Sequence, residues 1–208
     1  GSWWIWTVWL VLAAPGCRIP GLDGPVSHSL ATSRQLCQQG MVAMEREQWQ
    51  RAEQLLQQAV KTCSTDADSR RSYAEALWHR GAQQEAVAQM EHACELAPGD
   101  AEFHVRTAEM YLALKRMDPA IAHTRQALEL APRLASAWAM RARIMQSGDQ
   151  LQEALASYHR ALGYAPADRG FRFETAELYL RMNQPERALV MLQNLAETYS
   201  PGEEPPSL

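Results

Sequence analysis

The sequence predicts an all-α fold, a solenoid of about five helical hairpins with ten antiparallel helices. Three observations predict it. Alanine recurs at Ala52, Ala86, Ala120, Ala154 and Ala188, each 34 residues after the last and without insertion. A second small residue keeps the same step at Gly40, Ala74, Ala108, Ala142 and Ala176. Proline keeps it at Pro98, Pro132 and Pro166, and falls one place late at Pro201. An ungapped period of this length belongs to stacked helical hairpins, each too small to bury its apolar face alone.

The alanines set five blocks: 33–66, 67–100, 101–134, 135–168 and 169–202. In every block the eighth and twentieth residues are small, and the twenty-seventh reads Ala59, Ala93, Ala127, Ala161 and Leu195. Small residues there let two helices approach at their crossing; a larger side chain would overpack the contact at about 1–3 kcal/mol. Larger apolar residues surround them. The eleventh position reads Ala43, Leu77, Tyr111, Met145 and Tyr179, and the twenty-fourth Leu56, Met90, Thr124, Tyr158 and Leu192.

The helix ends follow the same register. The prolines sit just past the second helix of their blocks, where a helix cannot continue. Asp118-Pro119 reads as an N-cap with proline at the first helical position, and Gln184-Pro185 opens the matching helix of the last block. Gly81, Gly148-Asp149 and Asn183 mark the turns inside hairpins. Asp66 and Asp68, at a block junction, help start a helix. The first block departs most, with Glu53 where later blocks have Val87, Ile121, Leu155 and Leu189, as suits a terminal repeat with one solvated side.

Segments such as Ala120-Ile121, Ala127-Leu128-Glu129-Leu130-Ala131-Pro132 and Ala154-Leu155, Tyr158, Ala161-Leu162, Ala165-Pro166 resemble the second helix of tetratricopeptide repeats. The resemblance covers about 170 of the 208 residues. The first helices match less well: Trp138 fits the family's fourth position, whereas Arg70 and Arg172 do not. The resemblance implies a right-handed superhelix whose concave groove, lined by first helices, binds protein or peptide segments. The family's groove positions fall on Arg34, Met41, Met44 and Glu45 in the first block, and on Arg71, Glu75, Trp78 and His79 in the second. They continue through Glu102, Val105, Glu109 and Leu112, then Ser136, Arg143 and Gln146, and end on Phe173, Glu177, Leu180 and Arg181. Trp78, Arg143 and Phe173 are of the types that become binding hot spots. The ninth position reads Met41, Glu75, Glu109, Arg143 and Glu177, so the family's asparagine-based clamp for chaperone tails is absent.

Lys and Arg number 20 against 24 Asp and Glu, a net charge of −4, and adjacent basic residues occur only as the isolated pairs Arg70-Arg71 and Lys115-Arg116. That balance argues against a nucleic-acid surface. No phosphate loop, HExxH motif or i,i+4 histidine pair is present. His92 and Cys94 are two apart and do not share a helix face, and Cys94, at the position of Leu128 and Leu162, reads as a small core residue. The sequence therefore predicts no catalytic residue, no metal site and no cofactor.

Residues 3–14 form an apolar run within the length range of a signal-peptide core and short of a bilayer span. It ends in Ala14-Pro15-Gly16-Cys17, which resembles the lipobox of bacterial lipoproteins, with Ala14 in place of the usual leucine. The resemblance implies cleavage before Cys17, lipidation of its sulfur, and a cell-envelope location with a weak lean to the outer membrane because Arg18 follows. An ordinary signal, an uncleaved anchor and an apolar helix packed on the array stand as alternatives. Residues 17–32 read as a flexible tether and 203–208 as a Pro-rich tail. In an oxidising compartment Cys37, near the start of the first helix, and Cys63, near the end of the same block, are candidates for a disulfide.

The sequence thus points to a non-catalytic, membrane-anchored scaffold that binds a protein segment. An accessory domain of a larger enzyme and a cytoplasmic adaptor are the competing readings.

Overall fold

The computed structural model describes residues 25–196. These form ten helices and no strand: α1 (Pro25–Glu45), α2 (Trp49–Thr62), α3 (Ala67–Arg80), α4 (Gln83–Leu96), α5 (Ala101–Ala113), α6 (Met117–Leu130), α7 (Ala135–Ser147), α8 (Leu151–Tyr164), α9 (Arg169–Arg181) and α10 (Pro185–Ala196). From the second block on, each first helix starts at the first residue of its block. α1 differs. It starts at Pro25, so residues 25–32 extend the first helix where the sequence suggests a tether, and Cys37 lies midway along α1 rather than near its start. The apolar run, Cys17 and the Pro-rich tail lie outside the described residues.

Each helix packs most closely on its hairpin partner, and each second helix then packs on the next first helix. In addition α1 packs on α3 and α5 on α7, while among the described residues no second helix packs comparably on the next. First helices therefore form the inner, closely spaced layer and second helices the outer one.

The periodic small residues are the crossing points. Ala52, Ala86, Ala120 and Ala154 have no solvent exposure, nor do Ala74, Ala108, Ala142 and Ala176. The first block has glycine at the eighth position because Leu56 fills the space. A Cβ at Gly40 would lie 2.5 Å from Leu56 Cγ, inside any van der Waals distance. Leu56 itself is fully buried.

The turn inside each hairpin is equally periodic. Its fifteenth residue is left-handed in all five blocks: Glu47 (φ 57°), Gly81 (91°), Lys115 (58°), Asp149 (58°) and Asn183 (57°). After each, the next backbone N–H bonds five residues back, as Gln48 to Ala43, Ala82 to Leu77 and Arg116 to Tyr111. That bond closes a Schellman motif and satisfies a carbonyl orphaned at the helix end. Gly148, by contrast, is right-handed at φ −89°, and Asp149 takes the strained place.

Two of the sequence-derived helix starts are revised. Asp100 and Asp168 do cap, accepting backbone N–H bonds from Glu102 and Phe103 and from Phe171. Asp66 stands at the same place before α3, but its buried carboxylate accepts from the hydroxyls of Ser69 (2.5 Å) and Ser33 (3.4 Å) instead of backbone. A buried carboxylate takes the hydroxyls that can satisfy it there, and in doing so it joins the first two hairpins. Asp118 is not an N-cap either: α6 begins at Met117 after Arg116, which puts Asp118 and Pro119 in its first turn. Cys37 and Cys63 are free thiols, the former bonded to Ser72 Oγ (3.3 Å) and the latter beside Thr65 Oγ1 (3.6 Å).

Candidate functional site

The inner layer carries a continuous string of ion pairs across four first helices. Arg106 on α5 reaches back to Glu75 on α3, with Nε 2.7 Å from Oε1 and Nη2 2.6 Å from Oε2. Its Nη1 donates to Glu109 on its own helix at 3.0 Å. Glu109 also accepts from Arg143 Nη1 on α7 at 2.9 Å. Arg143 then grips Glu174 on α9 with Nε at 2.9 Å and Nη2 at 2.6 Å. The order is Glu75, Arg106, Glu109, Arg143, Glu174, with each side chain between 23 and 33% exposed. Planar guanidinium forks suit such two-point contacts. Hydrogen bonds to the carboxylates hold both guanidinium groups well above the ordinary arginine value, against the opposing effect of burial.

The string is anchored to the outer layer by Tyr158 of α8, whose hydroxyl donates to Glu174 Oε2 at 2.8 Å. Burial first, and then the Glu174 carboxylate, push this phenol far above the ordinary tyrosine value.

Of the sequence-derived groove residues, the structure joins Glu75, Glu109 and Arg143 in this string. Arg106 and Glu174, which complete it, were not among them. Both are sixth residues of their blocks, and the separation of 31 residues recurs in Arg106–Glu75 and Arg143–Glu174. Opposite charges at that spacing are the signal that could have found them.

The other groove residues scatter. Trp78 is half-buried between two core clusters, and Leu112 packs half-buried on one of them. Val105 is a buried core residue and not part of an open groove. His79 is exposed and stacks on Trp49, with ring centroids 4.8 Å apart. Arg71 is exposed, with its guanidinium 5.6 Å from the Phe103 ring centroid. Phe173 is half-buried and Glu177 exposed. Arg181 reaches Asp149 Oδ1 at 3.5 Å. Met41 and Leu180 leave apolar surface open near the two ends of the array, at 42 and 47% exposure.

Three side chains of metal-ligating type come together among the described residues, a grouping that the sequence reading, which expects no metal site, does not anticipate. Cys94, His104 and His123 come from α4, α5 and α6. A search along single helices cannot see ligands drawn from three. Burial holds both imidazoles below the ordinary histidine value and pushes the Cys94 thiol up. His104 and Glu109 are five residues apart on α5, about 140° around the helix, so this cluster faces away from the ion-pair string.

Among the described residues no helix is long and apolar enough to cross a membrane. No curated protein sequence matches this chain significantly. Solved structures with the same fold include MamA of Desulfovibrio magneticus RS-1, at TM-score 0.66 and 17% identity, covering 83% of this chain and 96% of that one. A thermophilic tetratricopeptide protein of Thermus thermophilus matches at TM-score 0.71 and 20% identity, covering 79% and 90%. Pseudomonas aeruginosa PilF matches at 0.73 and 14%, covering 84% and 80%. At these identities the likeness is one of fold. The sequence itself matches family models described as Tetratricopeptide repeat over residues 37–101, 101–134 and 146–201. With the 34-residue hairpin array described above, these matches place the chain in the tetratricopeptide repeat family.

Proposed function

We propose that this protein is a non-catalytic scaffold of the bacterial cell envelope that holds a segment of a partner protein on its inner face. Its membrane attachment is through a lipidated Cys17. The observation that carries the binding part is the composition of the inner layer. Its centre is a string of three glutamates and two arginines, with one negative charge in excess, already hydrogen-bonded within the chain. Around that centre stand the exposed Arg71, Glu177 and Leu180 and the half-buried Phe173. A string of this kind keeps four first helices in register and leaves recognition to its flanks. Preorganisation of that sort lowers the ordering cost of binding.

This reading moves Arg143 from the recognition set to the framework, because its donors are used inside the chain. The binding test therefore uses the flanks. A randomised displayed-peptide library is selected on the wild-type protein, and the selected peptides are measured against Arg71→Glu with Leu180→Glu. Both residues are exposed, so the thermal midpoint stays unchanged while affinity falls about tenfold or more, the loss of one or two hot spots. Unchanged affinity would remove the inner face from the proposal.

The envelope part rests on the apolar run before Cys17. Fatty-acid labelling of the gene's full product in a bacterial host, lost in Cys17→Ser, is the expected result. An unlabelled wild type would favour the cytoplasmic reading.

A further inference from the structure

We propose that Cys94, His104 and His123 form a binding site for a zinc-type transition-metal ion that fastens the second hairpin to the third. The sulfur and the ring nitrogens lie within 4.8 Å of one another. The two histidine Nδ1 atoms are 3.0 Å apart. Zinc bonds of about 2.3 Å to sulfur and 2.0–2.1 Å to nitrogen set donor separations of roughly 3.3–3.6 Å in a tetrahedron. The histidine pair is near that spacing already, and the sulfur closes the rest by a side-chain rotation. One thiolate with two imidazoles is a donor set suited to zinc, and a poor one for magnesium or calcium.

The surroundings add what a site of this kind needs. Cys94 Sγ lies 3.3 Å from Thr107 Oγ1, whose own proton goes to the Phe103 carbonyl at 2.7 Å. The thiol is therefore the donor to Thr107, and its proton is the one released when metal binds. The two histidines face each other through like atoms, so one Nδ1 carries a proton and the other accepts it. That proton shifts to Nε2 of the same ring as both Nδ1 atoms turn to the ion, and no further proton leaves. The charge balance is one divalent ion in and one proton out.

The three ligands open onto a surface cleft of about 570 Å³ that Glu91 also lines. Glu91 sits one turn before Cys94 on α4, and the Tyr111 hydroxyl donates to it. Tyr111 also stacks on His123, with centroids 5.7 Å apart. The fourth coordination position thus faces the cleft, where water or the Glu91 carboxylate completes the shell, and Tyr111 orients both Glu91 and His123. Such outer partners hold ligand rings in place. Because the ligands span α4, α5 and α6, a bound ion adds a cross-link between neighbouring repeats, and metal binding becomes linked to array stability.

The test uses the full chain stripped with a chelator and titrated with Co²⁺ as a spectroscopic stand-in, then with Zn²⁺. The expected result is one ion per chain, with a thiolate-to-cobalt charge-transfer band and the visible absorption of a tetrahedral ion. Zn²⁺ should displace the cobalt and raise the thermal midpoint. Cys94→Ser should abolish the charge-transfer band while Cys63→Ser keeps it. His123→Gln, at a partly exposed position, should weaken binding at least about tenfold, the scale seen even for outer-shell losses. Should Cys94→Ser fail to fold, His123→Gln with its helical circular dichroism intact carries the test. A wild type without the band, a band that survives Cys94→Ser, or unchanged affinity in His123→Gln would overturn the site.

Discussion

Arg143 on α7 holds Glu174 on α9 through two donors, at 2.9 and 2.6 Å, and spends its third contact on Glu109 of the preceding hairpin. One side chain thus joins three successive repeats. A solenoid is held by nearest-neighbour interfaces, and this contact supplies an electrostatic part of two of them.

Arg143→Ala should cost about 1–2 kcal/mol in urea unfolding, since two half-buried carboxylates each lose part of their hydrogen bonding, Glu109 keeping Arg106 and Glu174 keeping Tyr158. A double-mutant cycle between Arg143→Ala and Glu174→Ala should give a coupling of about 1 kcal/mol, the upper end for partly exposed pairs. The coupling should shrink in high salt. A coupling of zero would mean that the string is decorative.

Gly40 and Leu56 form a sterically closed pair. Gly40→Ala should lower stability by about 1–3 kcal/mol, the usual cost of overpacking, because the clashing atom is Leu56 Cγ rather than a mobile side-chain end. Relief by a second change, Leu56→Ala, would assign the cost to this contact. Equal losses in Gly40→Ala with and without Leu56 would place it in the backbone.

The left-handed fifteenth position makes opposite predictions at two equivalent sites. A Cβ at Gly81 meets no atom within 4 Å, so Gly81→Ala should cost about 1 kcal/mol from backbone strain alone. Lys115 bears that strain now at φ 58°. Lys115→Gly should therefore gain up to about 1 kcal/mol, less the added freedom of the unfolded chain. Chemical denaturation of both variants checks the pair; shifts of the same sign would contradict it.

Tyr158 makes a pH prediction. Its folded value is raised, so the folded protein keeps the phenolic proton when the unfolded chain has begun to lose it. The stability it contributes is full below the ordinary tyrosine value of about 10 and falls as pH rises beyond it. Tyr158→Phe should be less stable than wild type at neutral pH, and its urea midpoint should fall less steeply above about pH 10. Parallel curves for the two proteins would assign the alkaline loss elsewhere.

The array was legible because its determinants are local and repeated. Ala86, Ala120 and Ala154 occupy one packing position in successive hairpins, so a single steric demand is written several times at one spacing. Pro98, Pro132 and Pro166 mark the helix ends for the same reason. The groove was legible only in part. Glu75, Glu109 and Arg143 stand at the positions named from the repeat, but Val105, named in the same way, is buried, and Trp78 is taken up largely by the core. Repeat position fixes the direction of a side chain on its own helix and leaves open what the neighbouring helix places against it.

By itself, the sequence determined the all-α class, the five-hairpin register, the small residues at the crossings and most of the turns. Each follows from backbone and packing preferences within a single block. Tertiary structure alone decided that Arg143 bonds to Glu109 and Glu174 within the chain and that Asp66 bonds to hydroxyls instead of capping its helix. It also decided that Cys94, His104 and His123 meet. These depend on distances between side chains from different helices, set by how hairpins stack.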